Sequence, residues 1–182
     1  MPTSTWSSIK PNLQRLSQDD LLHVVHDLYA LNANNKAFLA TRFAAALPDD
    51  LTKPYRQVIS ACFNPQHGLP SFKIAPARKA LDDFKKANTD PLLTLDLMLF
   101  YVEQGVIGTN TYGDIHDAFY ESLSSVYADA AKLAETIGDR DLLAPYLQRF
   151  SQIVRDTRSI GWGFHDDLND IYTETLILHT TP

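Results

Sequence analysis

Cysteine and glycine are both scarce in this chain. Cys62 is the single cysteine among 182 residues, so no internal disulfide can form and a secreted disulfide framework is excluded. The seven glycines build no phosphate-binding loop, dinucleotide fingerprint or Gly-x-Ser-x-Gly elbow, and there is no Cys-x-x-Cys pair. The composition, 45% hydrophobic and 21% charged, is typical of a globular domain. The missing motifs mean that the sequence carries no common enzyme signature.

Long apolar runs and a leader sequence are also missing. The most apolar stretch, residues 92–107, contains Asp96 and Glu103 and is shorter than the roughly 20 residues that a bilayer requires. Residues 1–5 show no basic region followed by an apolar core, so no signal peptide is predicted. We expect a cytoplasmic protein without membrane contact, and one domain over residues 1–182 with residues 1–6 as a flexible tail.

Basic residues are in the minority, and their distribution is uneven. The formal net charge is −6. Residues 1–91 carry 11 Lys and Arg against 8 Asp and Glu, a net of +3, whereas residues 92–182 carry 5 against 14, a net of −9. Affinity for nucleic acid comes mainly from counterions that Lys and Arg displace, so nucleic acid is an unfavourable partner. The basic segment 73–86 is either a solvated helix face or a docking surface for an acidic partner.

Apolar residues recur with the period of an α-helix throughout, and no alternating strand pattern appears. Ser17 predicts a helix start by capping, Asp90 before Pro91 predicts another, and Gly138 predicts a helix end. Residues 108–113 are expected to form a polar loop after a central helix that is apolar on nearly all sides. The sequence predicts an all-α fold, a compact multi-helix bundle or a short solenoid of helical hairpins with seven or eight antiparallel helices. The predicted helices begin near residues 18, 36, 50, 76, 91, 114, 139 and 166.

Two carboxylates lie within the apolar central helix. Asp96 and Glu103 are seven residues apart, so they share one face of that helix. If this face is buried, the two groups need hydrogen-bond donors or cations, or they take up protons. We expect Arg or His side chains, or backbone amides, of neighbouring helices to meet them, although perturbed carboxylates also occur at functional sites.

Two glycine-containing segments, 109–117 and 158–167, each run into a helix start with a histidine beside aspartates. The aspartates are explained by helix capping and by the helix dipole. Tyr112, Trp162, His116 and His165 are not needed for capping, and such side chains are typical of a binding cleft. The two readings, capping with packing or a ligand cleft, both remain open here.

Three residue patterns in the chain suggest metal or RNA chemistry. His165-Asp166 resembles the dipeptide of HD-type phosphohydrolases. Those enzymes also need an Asp well downstream of the pair, and no Asp lies at a suitable distance here. Arg158 and His165 resemble the Arg-x4–6-His pattern of HEPN ribonucleases, which cleave RNA without metal, although glycines break the helix between them. His23, His26 and Asp27 have chelating spacing, which an exposed polar face explains more simply. We therefore predict no metal and no cofactor.

Several segments taken together resemble a bacterial family that is known as a domain of unknown function, over roughly residues 9–175. The resemblance implies a compact, all-helical, stand-alone cytoplasmic protein, and it assigns no catalytic residue. The segments that carry it are Leu16–Leu22, Ala77–Ala80 with Asp83–Lys86, Leu97–Glu103, Thr109–Asp114 and Gly161–Asp166.

The function predicted from the sequence is a non-catalytic interaction module that binds another protein or a second copy of itself. Segments 109–117, 161–167 and 73–86 are expected to form its cleft, in which Arg78, Lys79 or Arg158 meets Glu103 or Asp114. An HEPN-like or HD-like enzyme and an acidic antitoxin or immunity partner are the alternatives. The catalytic candidates are Arg158, His165, His116 and Asp114. The candidate binding residues are Arg78, Lys79, Glu103, Asn110, Tyr112, Asp114, Trp162, His165 and Asp166.

Overall fold

The computed structural model describes residues 5–43 and 48–177, and every regular element within them is helical. The all-helical class predicted from the sequence is confirmed. The described residues contain nine α-helices, one more than the upper prediction, because the sequence does not predict the helix at Trp6–Leu13. The elements are α1 (Trp6–Leu13), α2 (Gln18–Leu31), α3 (Ala33–Phe43), α4 (Pro48–Phe63), α5 (Ile74–Ala87), α6 (Pro91–Tyr112), α7 (Asp117–Ile137), α8 (Arg140–Asp156), α9 (Phe164–Ile171) and a π-helical turn (Tyr172–Ile177).

The chain divides into two compact units, Met1–Ala44 and Ala45–Pro182. In the first unit, Asn32 alone joins α2 to α3 and has extended backbone. Its side chain caps α3 by accepting from the amide of Asn35, whose own side chain donates to the carbonyl of Leu28. No residue of α1, α2 or α3 is buried. Residues 1–4 of the predicted tail lie outside the described residues.

The second unit is built around α6, which contacts α4, α5, α7 and α8. Ten of its residues are buried, among them Leu95, Tyr101 and Val106. Among the described residues α6 is also the one helix that is long and apolar enough to cross a membrane, with a mean hydropathy of 1.3. Because 56% of that stretch is buried within the protein, its apolar character is accounted for by its position in the core.

Local capping signals define several helix ends as predicted. The Ser17 side chain accepts from the amide of Asp20 at the start of α2. Asp90 accepts from the amides of Leu92 and Leu93 before α6, and Asp139 caps α8 in the same way. Gly138 ends α7 in the left-handed conformation, at φ 66°. These ends depend on residues adjacent in sequence, which is why the sequence predicts them.

Other predicted boundaries are wrong. Residues 108–112 are not a loop, because α6 continues to Tyr112 and ends at Gly113, where φ is 90°. Gly108 lies within the helix and allows α4 to approach it closely, since a Cβ there would lie 2.4 Å from the carbonyl oxygen of Phe63. α7 begins at Asp117 rather than Asp114. α4 begins at Pro48 rather than near residue 50, and Thr52 is a buried residue within the helix. The sequence predicts that the second helix ends near residue 47 and the last one near residue 178, and both positions lie outside the described residues.

Candidate interaction surfaces

The two glycine-containing segments of the predicted cleft lie close together, and Tyr120 connects them. Its hydroxyl accepts from the amide of Ile115 at 3.1 Å and lies 2.7 Å from Oγ1 of Thr109. Its ring centroid lies 5.2 Å from that of Phe164 at the start of α9. The Asn110 amide reaches the same region and donates to the carbonyl of Asp156 at 2.8 Å.

Buried aromatic side chains fill the place where these segments meet. Phe119 and Phe164 are fully buried and Tyr120 is 3% exposed. Tyr112 lies at the margin, 41% exposed, with its ring 6.1 Å from that of Phe72. Trp162 is 62% exposed and has a positive φ of 64°. The contact between the segments is therefore a packed aromatic cluster, and the two exposed aromatic residues lie on the surface.

The catalytic candidates occupy different local environments. Nδ1 of His165 lies 3.0 Å from Oγ1 of Thr157, which in turn donates to the carbonyl of Val154. This contact connects the start of α9 to the end of α8. His116 precedes α7 and its ring lies 6.4 Å from that of Phe119. Within residues 5–43 and 48–177, Arg158 and Asp114 form no hydrogen bond or ion pair.

The remaining predicted binding residues are placed as follows. Lys79 pairs with Asp83 on its own helix at 2.5 Å. Nη1 of Arg78 is buried, with no hydrogen-bond partner among the described residues. Asp166 is exposed in the first turn of α9. The expected contact of Glu103 with Arg78, Lys79 or Arg158 is not formed. Glu103 pairs instead with an arginine of α8.

That arginine, Arg149, is the centre of a four-residue ionic cluster. Its Nε and Nη2 donate to the two carboxylate oxygens of Glu103 at 2.6 and 2.9 Å, and its Nη1 donates to Oδ1 of Asp96 at 2.7 Å. Arg56 of α4 binds the second oxygen of Asp96. The prediction that neighbouring helices meet the two carboxylates with cations is therefore confirmed.

The cluster joins three helices while it stays partly open to water. The four side chains are 23–29% exposed, and their formal charges sum to zero. Burial alone would lower the pKa of Arg149, but its hydrogen bonds to Glu103 and the charges of both carboxylates raise that pKa above its ordinary value. Arg149 therefore keeps its positive charge, in a geometry that fixes α4 and α8 against α6.

A groove of about 950 Å³ opens beside the cluster. One wall is α4, the segment after α4 forms one end, and Phe100 and Gln104 of α6 form the other wall. Oε1 of Gln104 accepts from Ser60 and Asn64, at 3.3 Å each, across the groove. The lining residues are Thr52, Lys53, Arg56, Gln57, Ser60, Ala61, Asn64, Pro65, Gln66, His67, Phe100 and Gln104.

A smaller groove of about 290 Å³ lies on the other side of Phe100 and Gln104, between α6 and α8. Glu103 and Arg149 contribute to it, so one predicted binding residue lines a groove. Its other residues are Val106, Ile107, Gln152, Ile153 and Asp156. Among the residues that the structure describes, no group of three or more His, Cys, Asp and Glu side chains is arranged to hold a metal ion.

Sequence reasoning missed Arg56, Arg149 and the α4–α6 groove. Both arginines border apolar stripes of their helices, beside Phe63 on α4 and beside Ile153 on α8, at 100° per residue. An arginine at the border of an apolar stripe could therefore have been identified from the sequence as a cation that reaches a carboxylate on a neighbouring helix. The groove carried no such signal, because its walls come from helices about 40 residues apart in sequence.

The first unit presents a different kind of surface, which is apolar. The large apolar residues of α2 lie within an arc of about 180° at 100° per residue. Leu22 is 59% exposed and Leu31 is 72% exposed. Two contacts between α2 and α3 lie close to the joint at Asn32: Lys36 with the ring of Tyr29, and Asn35 with the carbonyl of Leu28. The exposed members of the arc are Leu21, Leu22, Val25, Leu28, Tyr29 and Leu31.

Comparisons with protein-family models, with curated proteins and with solved structures find no match for this chain. The described part is an all-helical protein that combines an exposed apolar helix face with a polar groove beside an ionic cluster.

Proposed function

We propose that this chain is a non-catalytic interaction module that binds a second copy of itself through the apolar arc of α2. The observation that carries the proposal is that none of the described residues of α1–α3 is buried. An arc of about 100° is enough for a helix that packs on one side. The arc of α2 is nearly twice as wide, which favours packing against helices from two directions.

Charge complementarity favours a second copy as the partner. α2 contains three aspartates and no lysine or arginine, a formal charge of −3, whereas α3 contains Lys36 and Arg42 and no acid, a charge of +2. Asp20 and Asp27 border the apolar arc at 100° per residue. In a two-fold symmetric dimer that places α2 of each copy against α3 of the other, both contacts join opposite charges.

Two further features support a structural role over a catalytic one. His165, one of two residues shared by the predicted enzyme and binding sites, is engaged with Thr157 at the end of α8. The short connections of the second unit favour antiparallel packing of successive helices, and we include that arrangement in the proposal. Such a bundle serves as a stable platform for the α2–α3 segment.

Charge reversal followed by mixing tests the proposal. In variant A, Asp20→Lys and Asp27→Lys make α2 positive; in variant B, Lys36→Glu and Arg42→Glu make α3 negative. Each variant alone faces like charges across both contacts of its homodimer, so we expect its dissociation constant to rise at least about tenfold. An equimolar mixture restores opposite charges at both contacts, and its dissociation constant is expected to return toward that of the unchanged protein. Sedimentation equilibrium measures all three.

The control carries the same change of charge as variant A at exposed positions of the second unit, Glu121→Lys with Asp170→Lys. It is expected to dimerise as the unchanged protein does. A monomeric unchanged protein at every concentration contradicts the proposal, and so does a mixture of A and B that remains dissociated while circular dichroism shows both to be helical.

A further inference from the structure

The α4–α6 groove has the polar chemistry of a binding site that is independent of the α2 surface. Among the described residues, the twelve that line it include no aspartate or glutamate, although the chain has a net charge of −6. The lining includes the cations Lys53 and Arg56, the imidazole of His67, and four side-chain amides from Gln57, Asn64, Gln66 and Gln104. Such a surface attracts carboxylates and offers both donors and acceptors to a peptide backbone.

Arg56 is held in place before any ligand arrives. Its Nη2 binds Asp96, its Nε donates to Oγ1 of Thr52 at 3.2 Å, and its guanidinium lies 4.3 Å from the centroid of the Phe100 ring. Among the described residues, no hydrogen bond engages its Nη1. An arginine that is fixed on two sides loses little conformational entropy when its remaining donors bind a carboxylate.

The dimensions of the groove fit a short extended peptide. Lys53 and Asn64 are 11 residues apart along α4 and its final turn, which corresponds to about 16 Å at 1.5 Å per residue. An extended chain covers that length with about five residues. Two cations, one of them already paired with Asp96, are too few for a polyanion such as nucleic acid, which the net charge of the protein also repels.

We propose that the α4–α6 groove binds a short, carboxylate-bearing peptide segment of a partner protein, with Arg56 and Lys53 as the groups that hold the acidic side chain. The amides of Gln57 and Gln66 then pair with the peptide backbone. Phe100 packs against the apolar part of the segment. This inference does not depend on dimerisation through α2.

Nuclear magnetic resonance titration of the full chain tests it with defined probes. The probes are pentaglutamate and pentaglutamine with blocked ends, inorganic phosphate, and an oligouridylate of five nucleotides. Pentaglutamate is expected to shift the amide signals of residues 53, 57, 66 and 67, whereas pentaglutamine has at least about a fivefold higher dissociation constant. Phosphate and oligouridylate are expected to leave those signals in place.

Lys53→Met is the informative variant, because Lys53 is exposed and lies outside the ionic cluster; it is expected to weaken pentaglutamate binding several-fold. Lys86→Met on α5 is the matched control and is expected to leave binding unchanged. Equal shifts with phosphate or oligouridylate overturn the peptide assignment in favour of a general anion site. Absence of any shift with pentaglutamate, or equal loss in both variants, overturns the proposal as well.

Discussion

Replacement of Arg149 by methionine tests whether the ionic cluster fixes the second unit. Methionine keeps much of the apolar stem while it removes the guanidinium. Asp96 retains Arg56, but Glu103 loses its two hydrogen bonds from Arg149. Breaking a fully buried pair costs about 3–5 kcal/mol. Because these side chains are about one quarter exposed, water reaches the remaining carboxylate, and we expect a loss of about 2 kcal/mol of unfolding free energy.

Urea unfolding followed by the near-ultraviolet circular dichroism of the buried tyrosines measures this loss. Arg155→Met is the matched control, since Arg155 is exposed and bonds only to Ser151 and Gln152 of its own helix among the described residues; its cost is expected to stay below about 0.5 kcal/mol. Adding Glu103→Gln to Arg149→Met removes the unpaired charge, so we expect about 1 kcal/mol to be recovered. Equal costs for the two arginine variants, or no recovery in the double variant, refute the reasoning.

Two further predictions concern packing and pH. In Gly108→Ala the new Cβ meets the backbone oxygen of Phe63 at 2.4 Å, whereas in Gly105→Ala it meets the end of the Leu123 side chain. Thermal denaturation should therefore show a loss of unfolding free energy of about 2 kcal/mol for Gly108→Ala and of less than about 1 kcal/mol for Gly105→Ala. The reverse order would contradict the close approach assigned to Gly108. Burial raises the pKa of Tyr127 above its ordinary 10.0, so the folded state keeps the proton that the unfolded state releases, and stability is retained below pH 10 and falls as pH rises above it. Tyr127→Phe should reduce that fall by up to about 1.4 kcal/mol per pH unit in urea titrations between pH 9 and pH 11; an unchanged slope would mean that Tyr127 is not the titrating group.

The sequence predicts those features of the fold that depend on neighbouring residues. Ser17, Asp90 and Asp139 cap helices, and Gly138 ends one, because each acts within a single turn. The need of Asp96 and Glu103 for cations also follows from helical spacing alone. The choice of Arg56 and Arg149 does not, because it depends on which helices pack against α6.

Three features that the sequence does not predict have one physical cause. Gly108 reads as part of a loop when only chain neighbours are considered, yet the close approach of Phe63 requires a glycine within the helix. The sequence around Tyr120 indicates no special role for it, although it connects the two glycine-containing segments. The groove arises from α4 and α6 together. Features that need two distant helices to be placed first cannot be inferred from a periodicity.

Hydrogen exchange of the α2 amides as a function of protein concentration tests the central claim most directly. If a second copy covers α2, mass action makes the amides of residues 21–31 exchange more slowly at about 200 μM than at about 1 μM, while those of α7 do not change. Exchange in α2 that is equally fast at both concentrations would show that no second copy covers this face, and would contradict the account.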